Sequence, residues 1–278
     1  MEFLHRTWAE IDVDALVHNF GIIKKEAAGT KIMAVVKADA YGHSARNVAP
    51  LLEAEGADAF AVSNIEEAVT LRGCGITKPI LILGYTPVSM ASQLYINDIT
   101  QSVYSPEYAA ALSKKATADK VRIKIHIKLD TGMSRIGFDC RDNSLSGIDD
   151  ACAAARLPGF DFGGIFTHFA VSDRTPQEED GFTAAQYSRF IAAKERFIKA
   201  GLTPKICHCC NSAAFCLDTD KHLDMCRPGI ILYGLTPSSG LKLKEDFIPA
   251  MTVKSVVSMV KTVKKGDTVS YGRTFTAE

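Results

Sequence analysis

Eight short apolar segments recur along the chain, and most are separated from the next by a stretch with helical periodicity. Continuous apolar segments of this length are typical of strands buried on both faces of a parallel sheet. Strands that alternate with helices indicate an α/β fold, and eight of them predict a (β/α)8 TIM-type barrel. The eight segments are residues 32–36, 58–62, 79–83, 99–104, 121–129, 162–168, 205–210 and 223–226.

The hydrophobic pattern changes near residue 240. Residues 251–253 and 256–263 alternate between polar and apolar side chains, and a turn and a short strand follow at 264–271. Such alternation is typical of antiparallel β-structure. The sequence therefore predicts a barrel domain at residues 1–240 and the beginning of a C-terminal antiparallel β-domain at 241–278. Because so few residues do not form a stable β-domain alone, we expect the chain to end inside that domain.

The amino-acid composition indicates what kind of molecule this protein binds. The 32 Lys and Arg residues equal the 32 Asp and Glu residues in number, so no overall charge attracts nucleic acid or an anionic membrane. The first 20 residues contain no uninterrupted apolar region of the kind found in a signal peptide, and no apolar run approaches the length of a membrane helix. We expect a cytoplasmic protein that acts on a small molecule.

The cysteines do not predict a metal site. Most of the eight are scattered among apolar strands and helices, which is typical of free thiols in a reducing compartment. Cys207, His208, Cys209 and Cys210 are consecutive, but a strand points alternate side chains to opposite faces, so the adjacent cysteines would not chelate together. We therefore expect no metal.

A lysine ends the first barrel segment. Lys37 follows the apolar residues 32–36 directly, and Tyr41 to His43 form a loop before a helix that Ser44 is predicted to cap. Taken alone, the pattern is typical of a lysine with its ammonium group in water. Burial at a strand end would instead favour the neutral amine, which can form a Schiff base with a carbonyl carbon. The helix after the second strand is predicted to begin with a capping box at Ser63–Glu66.

Polar residues also follow other strands of the predicted barrel. The carboxyl ends of barrel strands meet at one face, where barrel enzymes carry their active sites. Ser212 and Gly229 follow strands seven and eight, the usual phosphate site of such barrels. A Schiff-base lysine opposite a phosphate site predicts pyridoxal 5′-phosphate as the cofactor. The strand-end residues are Lys37, Arg135, His168, Asn211, Ser212, Arg227 and Gly229.

With these residues in view, the sequence resembles the alanine racemases, which are fold-type III pyridoxal phosphate enzymes. The resemblance extends over nearly the whole chain. Its most specific parts are the segment around Lys37 and the Thr-Gly-Met-x-Arg-x-Gly loop that contains Arg135. The matching segments are residues 6–12, 36–43, 129–137, 208 with 211–212, 227–230 and 269–274.

The resemblance implies a role for each site residue. Lys37 would bind the cofactor as a Schiff base and act as one base, while Tyr271 would act as the opposite base in the site of a partner subunit. Arg135 would orient the substrate carboxylate, and a carbamate on Lys128 would support it. Arg227 would face the pyridine nitrogen with His208 behind it. The cofactor-binding residues would be Lys37, Tyr41, His168, Asn211, Ser212, Arg227, Gly229 and Ile230.

The function implied by this resemblance is interconversion of L- and D-alanine by a homodimer, which supplies D-alanine for peptidoglycan. Two alternatives stay open. A serine racemase of the same family would share the barrel residues, and a pyridoxal-phosphate-binding barrel without catalysis would lack a working Tyr271. Related decarboxylases place an acidic residue at the ring nitrogen, so Arg227 argues against them.

Overall fold

The computed structural model describes residues 6–174, 180–239 and 243–278. The chain divides into two compact units, one formed by Asp12–Ala250 and the other by the residues up to Ile11 together with Met251–Glu278. The boundary that the sequence predicts at residue 240 falls among residues 240–242, outside the described residues. The larger unit continues beyond it to Ala250.

Thirteen strands occur among the described residues. In chain order they are β1 Thr7–Ile11, β2 Lys31–Val35, β3 Ala59–Val62, β4 Ile80–Ile82, β5 Ile99–Val103, β6 Ile123–Asp130, β7 Phe138–Asp139, β8 Phe160–Phe166, β9 Ile206–His208, β10 Met225–Cys226, β11 Met251–Ser255, β12 Thr268–Val269 and β13 Phe275–Thr276.

The larger unit is a parallel barrel. Its strands pair in the order β10, β2, β3, β4, β5, β6, β8, β9, and each of these pairings is parallel. The first and last strands of this order are joined by two backbone hydrogen bonds. The Asp224 N–H donates to the Cys207 carbonyl at 3.2 Å, and the Arg227 N–H donates to the Cys210 carbonyl at 3.1 Å. The predicted (β/α)8 barrel is therefore confirmed.

Helices lie between the barrel strands, and side-chain caps begin two of the helices of this unit. The Asp12 carboxylate accepts a hydrogen bond from the Ala15 amide at 3.0 Å, and the Ser105 hydroxyl accepts one from the Tyr108 amide at 3.2 Å. Both satisfy an amide that has no partner inside its helix. The helices among the described residues are Val13–Ala27, Ala45–Ala54, Ile65–Gly73, Ala91–Ile96, Pro106–Ala118, Ile148–Ala155, Phe182–Lys199 and Ser212–Leu217.

The predicted capping box at Ser63–Glu66 is wrong by one residue. Asn64 is the cap, because its side-chain oxygen accepts from the Glu67 amide at 2.9 Å. Glu67 accepts from the Ser63 amide, one residue before this cap, at 2.8 Å. Glu67, rather than Glu66, therefore turns back toward the strand ends.

The predicted cap at Ser44 is also wrong. Ser44 precedes the helix Ala45–Ala54, but its hydroxyl accepts from the Asn47 side chain at 3.1 Å rather than from a backbone amide of the first turn. The Asp39 carboxylate accepts from the Ala45 amide instead, at 2.7 Å. A residue five positions before Ser44 thus takes over the capping role and connects the loop after β2 to the next helix.

The barrel interior is filled by side chains from alternate strand positions. A parallel strand directs residues i and i+2 to one face, so one set of side chains fills the barrel and the other packs against the helices. The interior cluster consists of Met33, Val35, Ala59, Ala61, Leu81 and Met225. Alanine contributes two of the six side chains of this cluster.

The smaller unit is antiparallel, as the sequence predicts for the residues after 241. Strand β1 pairs with β11, with Thr7 opposite Ser255, and β12 pairs with β13. The sequence analysis did not identify β1, whose partner lies more than 240 residues away along the chain. Within the described residues, no helix has both the length and the apolar character needed to cross a membrane.

Gly164 allows the barrel strands β8 and β9 to pair closely. A Cβ atom on Gly164 would lie 2.3 Å from the Ile206 carbonyl oxygen, so Gly164→Ala should lower the free energy of unfolding by about 2–3 kcal/mol. Gly21→Ala is the control, because Gly21 lies in a helix with open space around it; it should be neutral or stabilising by up to about 1 kcal/mol. Urea denaturation measures both, and equal effects would contradict the close pairing.

Candidate active site

A cavity of about 540 Å³ lies at the carboxyl ends of the barrel strands. Its walls come from residues that follow β2, β6, β8, β9 and β10, so sequence-distant side chains meet at one face of the barrel. Most of the site residues expected from the sequence line this cavity. They are Lys37, Tyr41, Lys128, Arg135, His168, Asn211, Ser212, Arg227, Gly229 and Ile230.

Lys37 begins an unusual turn of backbone. The three residues that follow it, Ala38, Asp39 and Ala40, have φ near +50° and ψ near +50°, and Tyr41 also has a positive φ. Left-handed backbone costs roughly 1–2 kcal/mol for each residue that carries a Cβ. This run of strained residues persists only where surrounding contacts hold it in place. The Lys37 Nζ atom lies 6.0 Å from the centre of the Tyr41 ring.

Three groups of the cavity form a small polar cradle. The Gly229 N–H donates to the Ser212 hydroxyl at 2.9 Å. A Cβ on Gly229 would lie 3.0 Å from the Tyr41 hydroxyl oxygen, so glycine at this position leaves the space between these groups free. Burial raises the pKa of Tyr41 and keeps its hydroxyl protonated as a donor. Hydroxyl groups and a backbone N–H are suitable donors for a phosphate.

Arg227 is a deeply buried cation of the site. It is 3% exposed, and burial lowers the pKa of its guanidinium. Its Nη1 donates to His208 Nδ1 at 2.8 Å, and its Nη2 donates to the carbonyl oxygens of Thr167 and Cys209 at 2.7 and 3.0 Å. Among the described residues, no carboxylate forms an ion pair with Arg227. The charge is therefore held by neutral acceptors.

The Arg227 contact fixes the protonation of two histidines. A guanidinium only donates, so His208 Nδ1 must accept, and the remaining proton of His208 lies on Nε2. His208 Nε2 lies 3.0 Å from His126 Nδ1 and donates to it. Burial and the Arg227 charge lower the pKa of His208 well below its usual range and that of His126 to about 4. His126 was not predicted from the sequence as part of the site.

Lys128 lies in the same buried layer. It is 3% exposed, and its Nζ donates to the Leu129 carbonyl at 2.7 Å. Burial, followed by the charge of Arg227, lowers the pKa of Lys128 to about 7. A substantial fraction of this side chain is therefore a neutral amine near neutral pH.

The loop that carries Arg135 is held by the end of β6. One oxygen of the Asp130 carboxylate accepts from the Gly132 and Ser134 amides, both at 3.0 Å. Gly137 has a φ of +133°, and a Cβ there would lie 2.5 Å from the Asp130 nitrogen. Only glycine fits that position, so the loop has a defined shape. Arg135 is exposed on it and contributes to the cavity wall.

Gln186 connects two of the strand-end loops, and the sequence analysis missed it. Its amide oxygen accepts from the Ala170 N–H at 2.9 Å. Its amide nitrogen donates to the His168 carbonyl at 3.1 Å and to the Thr131 hydroxyl at 3.3 Å. Gln186 is fully buried on the helix Phe182–Lys199. A glutamine in the apolar stripe of a helix is a signal that could have identified it.

The cysteines after β9 are arranged differently from the expected alternation. β9 ends at His208, so Cys209 and Cys210 do not lie in extended strand. Both of their thiols donate to the Lys221 carbonyl, at 3.2 and 3.1 Å. The premise that adjacent cysteines face opposite sides is therefore wrong here. No cluster of three or more potential metal-ligating side chains occurs in the described part of the chain.

Tyr271 belongs to the smaller unit rather than to the barrel. It begins a short 3-10 turn, Tyr271–Arg273, and its side chain is 99% exposed. The cavity of the barrel unit thus contains the predicted cofactor and carboxylate residues, while the second predicted base stands outside that unit.

Comparison with known proteins relates this arrangement to one family. Residues 11–237 match the family of the alanine racemase N-terminal domain. An alanine racemase from Clostridium tetani (strain Massachusetts / E88) is 42% identical over 276 residues, a match that covers 99% of this chain and 70% of that protein.

Solved structures agree with the sequence match. The structure of alanine racemase from Clostridium difficile 630 matches with a TM-score of 0.89 at 38% identity, covering 99% of this chain and 71% of that one. The alanine racemase from D-cycloserine producing Streptomyces lavendulae matches with a TM-score of 0.90 at 31% identity, covering 100% and 72%. The chain therefore belongs to the alanine racemase family, a family of amino-acid racemases.

Proposed function

We propose that this chain is a pyridoxal-phosphate-dependent racemase that interconverts L- and D-alanine. One observation carries the proposal: a single cavity is lined by the strand-end Lys37, the Ser212 and Gly229 cradle, and the buried Arg227. A lysine amine, phosphate donors and a group for a ring nitrogen are the three requirements of this cofactor. Family membership supports the reaction class.

The residues of the cavity suit the cofactor phosphate, because glycine at position 229 leaves the space beside the Tyr41 hydroxyl free. Ser212, the Gly229 and Ile230 amides and the Tyr41 hydroxyl would hold the phosphate, and Lys37 would hold the cofactor covalently. His168 and Asn211 would contact the cofactor from the neighbouring strand ends. When bound, pyridoxal 5′-phosphate supplies an electron-withdrawing ring that stabilises negative charge at the substrate Cα.

Arg227 would donate a hydrogen bond to the ring nitrogen. A guanidinium does not release a proton near neutral pH, so the ring nitrogen would remain unprotonated. His208 and His126 are neutral beside it, which leaves Arg227 as the charge at that edge. The Arg227 contacts therefore support racemisation over reactions that need a protonated ring.

Racemisation requires two bases on opposite faces of the substrate Cα. We assign Lys37 to one face and Tyr271 of a second copy to the other, with Arg135 orienting the substrate carboxylate. This assignment includes a homodimer and follows the resemblance of the segments around Lys37 and Tyr271. The proposed role of this enzyme is to act in the cytoplasm and supply D-alanine for peptidoglycan.

A second candidate substrate is serine, because the barrel residues bind the amino-acid carboxylate and the cofactor rather than the side chain. A cofactor-binding barrel without catalysis is the other alternative. Turnover of L-alanine and L-serine, compared at equal enzyme concentration, distinguishes the three. Faster racemisation of serine would replace alanine in the proposal, and no turnover of either would support the binding protein.

Lys37→Ala should abolish covalent cofactor attachment and racemisation, because the proposal gives both tasks to this amine. The matched control is Lys31→Ala, at the exposed opposite end of the same strand, which should retain both. Borohydride reduction followed by peptide mass analysis locates the cofactor. Cofactor mass on another lysine, or turnover by Lys37→Ala, would contradict the assignment.

The Lys128 pKa predicts a pH-dependent stability. With a folded pKa of about 7 and a higher value in the unfolded chain, the unfolded chain binds more protons above pH 7. The free energy of unfolding should then rise with pH, by up to about 1.4 kcal/mol per unit between pH 7 and 10.

Lys128→Met should lack that increase, since the titrating amine is gone. Lys124→Met, an exposed position on the same strand, should keep it. Urea denaturation at pH 7, 8 and 9 in buffers free of carbon dioxide measures the slope. Parallel slopes for the wild type and Lys128→Met would contradict the lowered pKa.

Uptake of carbon dioxide by the neutral amine of Lys128, with release of one proton, is the proposed route to the carbamate of this side chain.

Tyr271→Phe should separate proton exchange from racemisation. Without the second base, the protein should remove the Cα proton of one alanine enantiomer in D2O and add a deuteron to the same face. Exchange should therefore occur with retention of configuration. Tyr95→Phe, an exposed tyrosine of the barrel unit, should behave as the wild type. NMR and chiral chromatography together follow exchange and configuration. Racemisation at the wild-type rate by Tyr271→Phe would remove Tyr271 from the proposed mechanism.

A further inference from the structure

Glu67 forms hydrogen bonds to the ends of two neighbouring barrel strands. One carboxylate oxygen, Oε2, accepts from the Ser63 amide at 2.8 Å and from the Ser63 hydroxyl at 2.9 Å. The other oxygen, Oε1, accepts from the Ala38 amide at 2.7 Å. Ser63 directly follows β3, while Ala38 is the residue after Lys37. The carboxylate therefore bridges two separate βα units.

Helix capping explains only half of this arrangement. In a capping box the side chain at the third helical position accepts from the N-cap amide. The Oε2 bonds of Glu67 are a variant of this arrangement, because they go to Ser63, one residue before the cap Asn64. The Oε1 bond serves no group of Glu67's own helix, Ile65–Gly73. It satisfies the first amide of the left-handed turn that begins at Lys37.

The bond lies where the sheet stops supporting the backbone. The Val36 amide donates to the Ala61 carbonyl at 3.0 Å, and that bond is one residue before Lys37. Beyond it, the chain leaves β2 and enters left-handed conformation at Ala38. Glu67 therefore continues the connection between β2 and β3 past the end of their ladder.

We infer that Glu67 is a positioning residue for Lys37, which it serves by fixing the Ala38 amide and the start of the left-handed turn. The inference rests on the proposed function, in which the Lys37 amine holds the cofactor and moves a proton. Two features make the bond suited to this purpose. A carboxylate is a stronger acceptor than a neutral group, and left-handed residues revert to commoner conformations unless contacts hold them.

The chain offers a close control for this inference. Glu66 is the preceding residue of the same helix and has the same side chain, but it is exposed, whereas Glu67 is half-buried. Glu66→Gln and Glu67→Gln remove the same charge from the same helical turn. Only Glu67→Gln weakens the bond to Ala38 in either orientation of its amide, because the side chain becomes a neutral acceptor and keeps a single acceptor oxygen for two backbone donors.

Two measurements on the full chain test the inference. The first is hydrogen exchange of the Ala38 amide in the cofactor-free protein, which should become at least about tenfold faster in Glu67→Gln than in Glu66→Gln. The second is titration with pyridoxal 5′-phosphate, followed by its visible absorbance band and by borohydride trapping at Lys37. The dissociation constant should rise at least about tenfold in Glu67→Gln and stay at the wild-type value in Glu66→Gln.

The comparison separates the inference from the proposed function. If the wild type does not attach the cofactor at Lys37, the proposed function fails, and the exchange measurement still tests the Ala38 bond. If the wild type attaches it and Glu67→Gln equals Glu66→Gln in both measurements, the positioning role is wrong. A fall in thermal stability with unchanged exchange at Ala38 would show a capping role only and would also overturn it.

Should Glu67→Gln not fold, Glu67→Asp gives the same comparison. Aspartate keeps the charge but is one methylene shorter, so it does not reach both Ser63 and Ala38. Faster Ala38 exchange together with weaker cofactor binding in Glu67→Asp supports the role of the bridge. Wild-type values for both would contradict it.

Discussion

The buried guanidinium of Arg227 determines the electrostatics of the barrel mouth. Its contact with His208 fixes that histidine as an acceptor, and the remaining proton of His208 then points toward His126. Its charge also lowers the pKa of Lys128 and His168, after the effect of burial. A carboxylate partner at Arg227 would have weakened all of these effects. Neutral acceptors instead leave the positive charge to act on every group around it.

That charge is held where the barrel closes. Arg227 follows β10, and its own amide donates to the Cys210 carbonyl beside β9. The same side chain donates to the carbonyl of Cys209 after β9 and to that of Thr167 after β8. Arg227 therefore connects three successive strand ends. Replacing it would remove the donor from two buried carbonyl oxygens, so one side chain supplies both the charge of the site and a connection between neighbouring strand ends.

The parts of the site that the sequence predicted are those in which the residue directly follows a strand. Lys37, Arg227 and Gly229 were identified because an apolar segment is followed within a few positions by a cationic residue or a glycine and then by a loop. The barrel itself followed from the same repeated pattern. Local sequence is sufficient in these cases because the carboxyl ends of parallel strands necessarily meet.

Long-range hydrogen bonds account for what the sequence did not predict. Ser63 and Asn64 are both good helix caps, and the choice between them fixes whether Glu66 or Glu67 faces the strand ends. In the structure, Glu67 reaches Ala38, 29 positions earlier in the chain. Gln186 similarly acts on loops 16 and 55 positions away. No pattern within a window of helical or strand length contains such partners.

The charges lining the cavity also indicate what it can accept. Among the residues that line the cavity, four side chains are cationic and one, Asp173, is a carboxylate. The cations are Lys37, Lys128, Arg135 and Arg227. The lowered pKa of Lys128 reduces this excess by favouring the neutral amine. The charges that remain lie at different depths, with Arg227 buried and Arg135 exposed. A ligand with a hydrogen-bond acceptor deep in the cavity at Arg227 and a carboxylate near its mouth at Arg135 would use both, as the ring nitrogen of the proposed cofactor and the carboxylate of the proposed substrate would together.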